Sequence, residues 1–308
     1  MRISTAESWS NALNNLMTAQ TRQESANNQV STQKIATDLA GYGRTSEIIA
    51  SYQSSLSRTN SYIDVTQTVS ARLNSQDIAL TTTGDAVTSA KDSIMSSLAN
   101  ATGTTLILEL QGSFSAALSG LNYRHNGQYL FNGGNDNDAP VSVNSLSQLA
   151  ALPAAADAFT NGTVKKSSQI DAGTTIQTGM LASDIGTQLM DLYKQIQNYN
   201  DDPTTGPFAD PLTDGQKDFL TTKAQEFSKL YDQTLQFSAL NGTMQKRVEN
   251  TQTSLKGQAD SMSQLVDDRT SADMATAYSN LQQAQVAVQA SAQVLANLNQ
   301  TSLLNLLK

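Results

Sequence analysis

Apolar residues recur at three- and four-residue steps over roughly the first forty positions, which is the spacing of one face of an α-helix. The members of this stripe are Trp9, Ala12 or Leu13, Leu16, Ala19, Ala26 and Val30. The positions between them are polar, and a lone helix with so little apolar surface is only marginally stable in water. We therefore expect the N-terminal helix to need a partner helix.

Helical spacing resumes after "GYG" at 41–43 and continues from Ile49 toward Leu98, with "NATGTT" at 100–105 predicting a turn. A further helix places Leu106, Leu110, Phe114, Leu118 and Leu121 on one face. Downstream, helical periodicity returns over 185–196 and again from Gln216 to about residue 240. Asn241-Gly242 predicts a bend within a longer arm that continues through Leu265.

The pattern changes in the middle of the sequence. In "NGQYLFNGGNDNDAPV", residues 126–141, Tyr129-Leu130-Phe131 is a short strand-like run between glycines. From about residue 135 to 183 there are short alternating or mixed runs with Gly, Pro and Asn between them. This favours a small β or mixed module.

The last helix, from Ala272 onward, is periodic in heptads. One inward register is Met274, Leu281, Val288, Leu295 and Ser302, and the next is Ala277, Ala284, Ser291, Leu298 and Asn305. The small residues allow a facing helix to come close, and the outer positions carry Gln and Asn rather than the Glu and Lys of a free two-stranded coil. The pattern indicates burial in a crowded helical assembly.

These elements predict a mainly α fold: an elongated rod of long terminal helices forming a coiled-coil core, with a small β-rich or mixed outer domain. The predicted segments are an N-terminal helical arm, the two halves of a helical rod separated by the outer domain, and a C-terminal helical arm. In sequence order they cover residues 1–45, 46–132, 133–183, 184–270 and 271–308.

Four leucines occupy the last six positions, although the terminal residues of a chain are usually poorly ordered. This cluster and Trp9 could pack into the protein's own core or between subunits. Burying one leucine stabilises by roughly 1.5 to 3 kcal/mol, and the terminal position of the cluster favours the contact between subunits. The predicted assembly interface is Trp9, Leu13, Leu16, Val30, Met274, Ala277, Leu281, Ala284, Val288, Leu295, Leu298, Leu303, Leu304, Leu306 and Leu307.

Composition argues against most chemistry. The net charge of -8 and the lack of any Lys/Arg cluster speak against nucleic acid. Cysteine is absent and His125 is the only histidine, so thiolate sites, histidine clusters and His-based triads are unsupported. Asp136, Asp138 and Asp201-Asp202 lack the calcium-loop pattern. We expect no enzyme, no cofactor and no metal.

No apolar run reaches the ~20 residues needed to span a bilayer, so we expect no membrane insertion. "MRISTAESWS" lacks the apolar stretch of a cleaved secretory signal. If the protein leaves the cell, we expect it to leave uncleaved.

"ADMATAYSNLQQAQVAVQASAQVLANLNQTSLLNLL", Ala272 to Leu307, resembles the C-terminal signature of the flagellin superfamily. "NGQYLFNGGNDNDAPV" is similar to an element of its hook-filament junction subfamily, hook-associated protein 3, which ordinary flagellins generally lack. The N-terminal arm departs from the pattern at Gln33 and Ile35, where the superfamily has Gly and Arg. The resemblance covers about residues 1–135 and 180–308.

The resemblance implies an extracellular structural adaptor of the bacterial flagellum that joins the hook to the filament by ring assembly of its terminal helices. It also implies the partners: further copies of the same protein, hook-associated protein 1, flagellin and a cytoplasmic export chaperone, with export through the flagellar type III apparatus. Two alternatives stay open, a filament-forming flagellin and an adhesin or binding module carried by residues 135–183. In the isolated monomer we expect residues 1 to about 40 and 270–308 to be largely disordered.

Overall fold

The computed structural model describes residues 2–134 and 138–306, with side chains described over 6–134 and 138–298. The described residues are mainly helical, as predicted. The helices are α1 Arg2–Thr32, α2 Ser46–Asn100, α3 Leu106–Leu121, α4 Leu146–Ala151, α5 Ala182–Asp201, α6 Asp214–Thr270 and α7 Met274–Leu306, with short 3₁₀ segments at Ala40–Thr45 and Ala155–Ala158. Two antiparallel hairpins are formed by β1 Arg124–His125 with β2 Gln128–Tyr129, and by β3 Ser167–Asp171 with β4 Thr174–Gln177.

The protein divides into two units. The terminal unit comprises Met1–Thr59 and Gly257–Lys308, and the central unit comprises Asn60–Lys256. The terminal unit therefore contains α1 and α7, and the central unit contains α3, α4, α5 and both hairpins.

In the terminal unit, α1 packs against α7. The segments that follow α1 and precede α7 are joined by backbone hydrogen bonds, from Ile35 N to Thr270 O at 2.8 Å and from Ala272 N to Gln33 O at 2.9 Å. The end of α1 thus lies beside the start of α7, and the two helices are antiparallel. Helical structure was expected to continue to about residue 40, but α1 ends at Thr32 because Gln33 takes a positive φ of 58°.

The core of the central unit forms where α2, α3, α5 and α6 meet. Its aromatic centre is Tyr193, whose ring makes edge-to-face contacts with Phe114 at 5.3 Å and Phe227 at 5.5 Å between centroids. The β3–β4 hairpin adds a smaller cluster, in which buried Ile170 and Ile176 pack with Val69, Leu73 and Val248. This hairpin is thereby fixed to the long helices.

The predicted bend at Asn241-Gly242 is wrong, because α6 runs without interruption from Asp214 to Thr270. Asn241 is fully buried and its Nδ2 donates to the carbonyl oxygen of Leu73 on α2 at 3.0 Å. A tertiary hydrogen bond therefore holds a residue that local preference would put in a turn.

The segment predicted as β or mixed is mixed. It contains α4, a 3₁₀ turn and the β3–β4 hairpin, while the strand-like "QYLF" run contributes only Gln128–Tyr129 to β2. Leu130 and Phe131 are buried in the main core instead. Since they are core residues, this run anchors the start of the middle segment.

Candidate assembly surface on the terminal helices

Two rows of residues repeat every seven positions along α1. The alanine row is Ala12, Ala19 and Ala26, and all three side chains are buried. The large row, three residues earlier in each heptad or four residues later, is Trp9, Leu16, Gln23 and Val30, and all four are half-buried. This arrangement matches the d and a positions of a coiled coil.

The same two rows occur on α7. Ala277 and Ala284 are buried, while Ser291 and Leu298 continue their row half-buried. The large row of α7, again three residues earlier, is half-buried throughout and consists of Met274, Leu281, Val288 and Leu295. Over residues 274–298, both heptad registers predicted for α7 face inward, whereas the side chains of their last members, Ser302 and Asn305, lie outside the described set.

A groove between the helices fixes how the rows face each other. Ala26 and Ala284 line it together, beside Arg22, Ser25, Gln29, Asn280, Gln283 and Ala287. Counting seven residues in opposite directions along the antiparallel helices places Ala19 level with Ser291 and Ala12 level with Leu298. Small side chains thus meet in the Ala26/Ala284 and Ala19/Ser291 layers, which permits a close helix–helix approach there, while Ala12 faces the larger Leu298.

Apolar burial between α1 and α7 stabilises their pairing only weakly. A buried methyl group contributes about 0.8 kcal/mol, whereas a fully buried leucine contributes roughly 1.5 to 3 kcal/mol. The alanine row brings the helices close but removes little apolar area from water. The large rows, which hold most of the apolar area, remain partly uncovered.

Further apolar side chains of the two helices point to solvent. Their exposed fractions are large: Leu13 42%, Met17 57%, Tyr278 56%, Val286 65% and Val294 52%. We call these five residues the exposed apolar set. Leu13 and Met17 lie four residues apart and so share one face of α1, and contiguous exposed apolar surface commonly marks an interaction site.

The residues predicted for the interface thus differ in how deeply they are buried. Trp9, Leu16, Val30 and the large row of α7 lie half-buried at the pair, Ala277 and Ala284 lie buried within it, and Leu13 lies on the exposed side. The backbone of Leu303, Leu304 and Leu306 is helical and their side chains lie outside the described set, while Leu307 lies outside the described residues.

Sequence reasoning missed three buried residues, Ala12, Ala19 and Ala26, as interface positions. It also missed Gln23, the polar member of the large row. The signal was present, because the alanines repeat at intervals of seven residues in step with Trp9 and Leu16. Because alanine buries little apolar area, its place in a helical stripe does not by itself indicate an interface.

Asp273 caps the start of α7. Its carboxylate accepts hydrogen bonds from Thr276 Oγ1 at 2.8 Å and from the backbone nitrogens of Ala275 at 3.0 Å and Thr276 at 3.5 Å. These bonds, the one from the Thr276 hydroxyl foremost, hold the pKa of the Asp273 carboxyl below its usual value. This cap thus fixes the start of α7 directly after Ala272, whose backbone nitrogen bonds to Gln33 O.

The described residues contain no group of three or more His, Cys, Asp or Glu placed to hold a metal ion. His125 lies against Ser75, with 2.8 Å between Nδ1 and Oγ. Over the part of the protein that the structure describes, no helix combines the length and the apolar character needed to cross a membrane.

Comparison with known families and structures agrees with this architecture. Residues 228–307 match the family described as the bacterial flagellin C-terminal helical region. Comparison with curated protein sequences gives no significant match.

Two solved structures share the fold. A protein of Vibrio parahaemolyticus described as a putative flagellar hook-associated protein is similar at 14% identity and a TM-score of 0.59, over 73% of this chain and 97% of that one. FlgL of Bacillus cereus is similar at 13% identity and a TM-score of 0.53, over 69% of this chain and 99% of that one.

The family match covers α7 up to Leu306 and the C-terminal part of α6. It confirms the resemblance to the flagellin superfamily that was drawn from Ala272 to Leu307. Residues 228–307 therefore match a flagellin C-terminal helical region, and the protein shares its mainly α fold with the two solved structures.

Proposed function

We propose that this protein is a non-enzymatic adaptor of the bacterial flagellum that joins the hook to the filament. Copies of it assemble side by side into a ring through α1 and α7. Hook-associated protein 1 lies on the hook side and flagellin on the filament side. The protein reaches this place through the flagellar export apparatus, delivered by a cytoplasmic chaperone.

The observation that carries the proposal is the incomplete burial of the α1–α7 pair. Its large rows are half-buried, and the exposed apolar set adds surface that the described residues leave open to solvent. Coiled-coil positions of this kind are covered in a stable helical assembly. Neighbouring copies would supply the missing cover.

The near absence of charge on the pair supports packing among like helices. The groove shared by Ala26 and Ala284 is lined by Ser, Gln, Asn and Ala side chains, with Arg22 as the charged residue of the lining. Uncharged side chains can be enclosed between helices at lower desolvation cost than Lys or Glu. A tube of many such helices is therefore feasible.

A place at the junction, rather than along the filament, is supported by the "QYLF" element. Phe131 is fully buried, and Leu130 is held both by the core and by Arg72, whose Nη2 donates to its carbonyl oxygen at 3.2 Å. The solved structures that share the fold include a protein described as hook-associated. The resemblance of this element to the hook-filament junction subfamily and the hook-associated neighbour favour the adaptor, and the burial shows that the element is part of the core.

A filament-forming flagellin is the second candidate, favoured by the match of residues 228–307 to the flagellin C-terminal region. Purified protein added to filament seeds separates the two. The adaptor adds to seed ends without elongating them, whereas long filaments of this protein alone would contradict the proposal.

The adaptor role is tested in a strain that lacks the gene. Electron micrographs are expected to show hooks without filaments, with flagellin shed into the medium, and expression of the wild-type protein restores filaments. A Met17→Gln/Val286→Gln variant should be exported but fail to restore them. A Gln20→Ala/Gln289→Ala variant, changed at exposed polar positions of the same helices, is the matched control and should restore them.

A further inference from the structure

Four Asn-Gly pairs occur in the sequence, beginning at Asn126, Asn132, Asn161 and Asn241. Asparagine is among the thermolabile residues, and a following glycine makes it most reactive because no side chain shields the glycine nitrogen. That nitrogen can attack the asparagine carbonyl carbon Cγ. The reaction requires a free asparagine side chain and an accessible turn.

Two of the four pairs are enclosed. Asn241 is fully buried within α6 and is held by its bond to Leu73. Asn132 is also fully buried, its Nδ2 donates to the carbonyl oxygen of Asp138, and its own carbonyl accepts from Gly162 N at 3.1 Å. Neither asparagine can turn its amide toward the following nitrogen without breaking the core.

In the third pair, the Asn161 side chain both donates and accepts hydrogen bonds, and we call this arrangement the clamp. Asn161 Oδ1 accepts from Ser183 N at 3.1 Å, and its Nδ2 donates to Ser183 Oγ at 3.1 Å and to Gly162 O at 3.0 Å. All three bonds must be lost before Asn161 can react. The clamp therefore slows the reaction, because a hydrogen bond within a folded protein contributes net stability that its loss removes.

The fourth pair is different. Asn126 and Gly127 are not buried, and they form the two-residue turn between β1 and β2, with φ angles of 51° and 81°. Positive φ at both positions is the conformation for which Asn-Gly is preferred in tight hairpins. The turn is therefore ordered by its backbone while the Asn126 amide lies at the protein surface.

Among the residues that the structure describes, one weak contact restrains the Asn126 side chain. Ser75 Oγ lies 2.8 Å from His125 Nδ1 and 3.2 Å from Ala71 O, so the histidine ring is held on its Nδ1 side. On the other side of the ring, His125 Nε2 lies 3.3 Å from Asn126 Nδ2, which donates to it when that nitrogen carries no proton. This contact engages only Nδ2, and Asn126 and Gly127 are both exposed.

We propose that Asn126 is the site at which the folded protein deamidates. The amide nitrogen of Gly127 loses its proton to solvent base and bonds to Asn126 Cγ, and the Asn126 Cγ–Nδ2 bond breaks as Nδ2 takes a proton from solvent and leaves as ammonia. The resulting five-membered imide takes up one water and opens to aspartate or isoaspartate. No oxidant, reductant or catalyst is needed.

The two products differ in their effect on the hairpin. Aspartate tolerates the left-handed conformation and keeps the turn. Isoaspartate adds a methylene to the backbone of a two-residue turn, so the pairing of His125 with Gln128 cannot persist. Either product also replaces the amide donor to His125 Nε2 with a carboxylate.

The test is peptide mapping by mass spectrometry of the full-length protein, aged in mildly alkaline buffer at physiological temperature. We expect Asn126 to deamidate about tenfold or more faster than the other three, a barrier difference of about 1.4 kcal/mol. In concentrated urea the four sites should react at similar rates. Equal rates in the folded protein, or a faster reaction at another pair, would overturn the proposal.

An Asn126→Gln variant is the matched control, since its longer side chain forms the ring poorly, and it should show no modification at this turn. Hydrogen exchange of the aged protein should then report the products. We expect faster exchange over 124–129 in the isoaspartate fraction and no acceleration in an Asn126→Asp variant. Equal protection in the unmodified protein, the isoaspartate fraction and the Asn126→Asp variant would contradict the predicted loss of strand pairing.

Discussion

Tyr193 Oη donates a hydrogen bond to Ser113 Oγ across 2.9 Å in the core of the central unit. Ser113 in turn donates its proton to Leu110 O at 3.0 Å, which makes its oxygen the acceptor from tyrosine. The pair satisfies the hydroxyl of Tyr193, the largest of the fully buried side chains among the described residues. Removing one partner should therefore cost more stability than the lost hydrogen bond alone, because it leaves the other group buried and unpaired.

Ser113→Ala leaves the Tyr193 hydroxyl buried without a partner, and we expect a loss of about 1 to 3 kcal/mol in the free energy of unfolding. Tyr193→Phe should cost less, about 0.5 to 1.5 kcal/mol. In the double variant the costs should not add, because the unpaired hydroxyl is gone. Urea unfolding of the wild type and the three variants measures this, and additive losses would disprove the coupling.

Burial also raises the pKa of the Tyr193 hydroxyl above its usual value. Because the folded pKa is the higher one, this stabilisation is complete below the pKa of the unfolded tyrosine and is lost as pH rises toward the folded value. Unfolding free energy measured in alkaline buffer should therefore decline less steeply in Tyr193→Phe than in the wild type. Identical slopes would contradict the assignment.

Lys194 of α5 caps the short helix α4. Its Nζ donates to Ala150 O at 2.9 Å and also to the carbonyl oxygens of Leu149 and Leu152. Lys194→Met should destabilise this region by about 1.5 to 3 kcal/mol, the range for bonds to a charged group. Hydrogen exchange over 146–158 should accelerate, while the exposed control Lys229→Met should leave it unchanged. Unchanged exchange in both variants would rule out the cap.

The cap of α7 should depend on pH. Since the folded pKa of Asp273 is lowered, its stabilisation is present above the pKa of the unfolded carboxyl and is lost as pH falls through the folded value. Exchange of the amides of Ala275 and Thr276, corrected for its intrinsic pH dependence, should accelerate in acid. Asp273→Asn keeps a neutral acceptor and should remove this dependence, whereas Asp268→Asn, at an exposed position of α6, should retain it.

Weak pairing by small side chains predicts that the arms order mainly on assembly. Limited proteolysis of dilute monomer should cut first within residues 6–40 and 270–298. The emission of Trp9, the only tryptophan, should shift to shorter wavelength on assembly as water leaves its surroundings. Protease resistance of both arms in dilute monomer, with no shift on assembly, would count against this.

Periodicity predicted the long helices and the registers of α7 over the described residues, because heptads with small inner residues leave one way to pack, but it did not predict the short helix α4. It failed at Asn241, since the Leu73 carbonyl that binds it lies in a different helix. It also could not find the Tyr193–Ser113 bond or the Lys194 cap, which join residues far apart in sequence. The alanine row was readable, but its importance depends on how closely α7 approaches.

The exposed apolar set of α1 and α7 is, in the proposed function, the surface that other subunits cover. The protein has no cysteine, so single cysteines introduced by Leu13→Cys or Val286→Cys can be labelled with a maleimide at one site each. Ala172→Cys, at the exposed tip of the β3–β4 hairpin, is the control.

The decisive measurement is the extent of labelling in assembled flagella relative to free monomer. We predict strong protection of the cysteines at positions 13 and 286 on assembly, with the cysteine at 172 still labelled. Equal labelling of all three positions in assembled flagella would contradict the proposed interface.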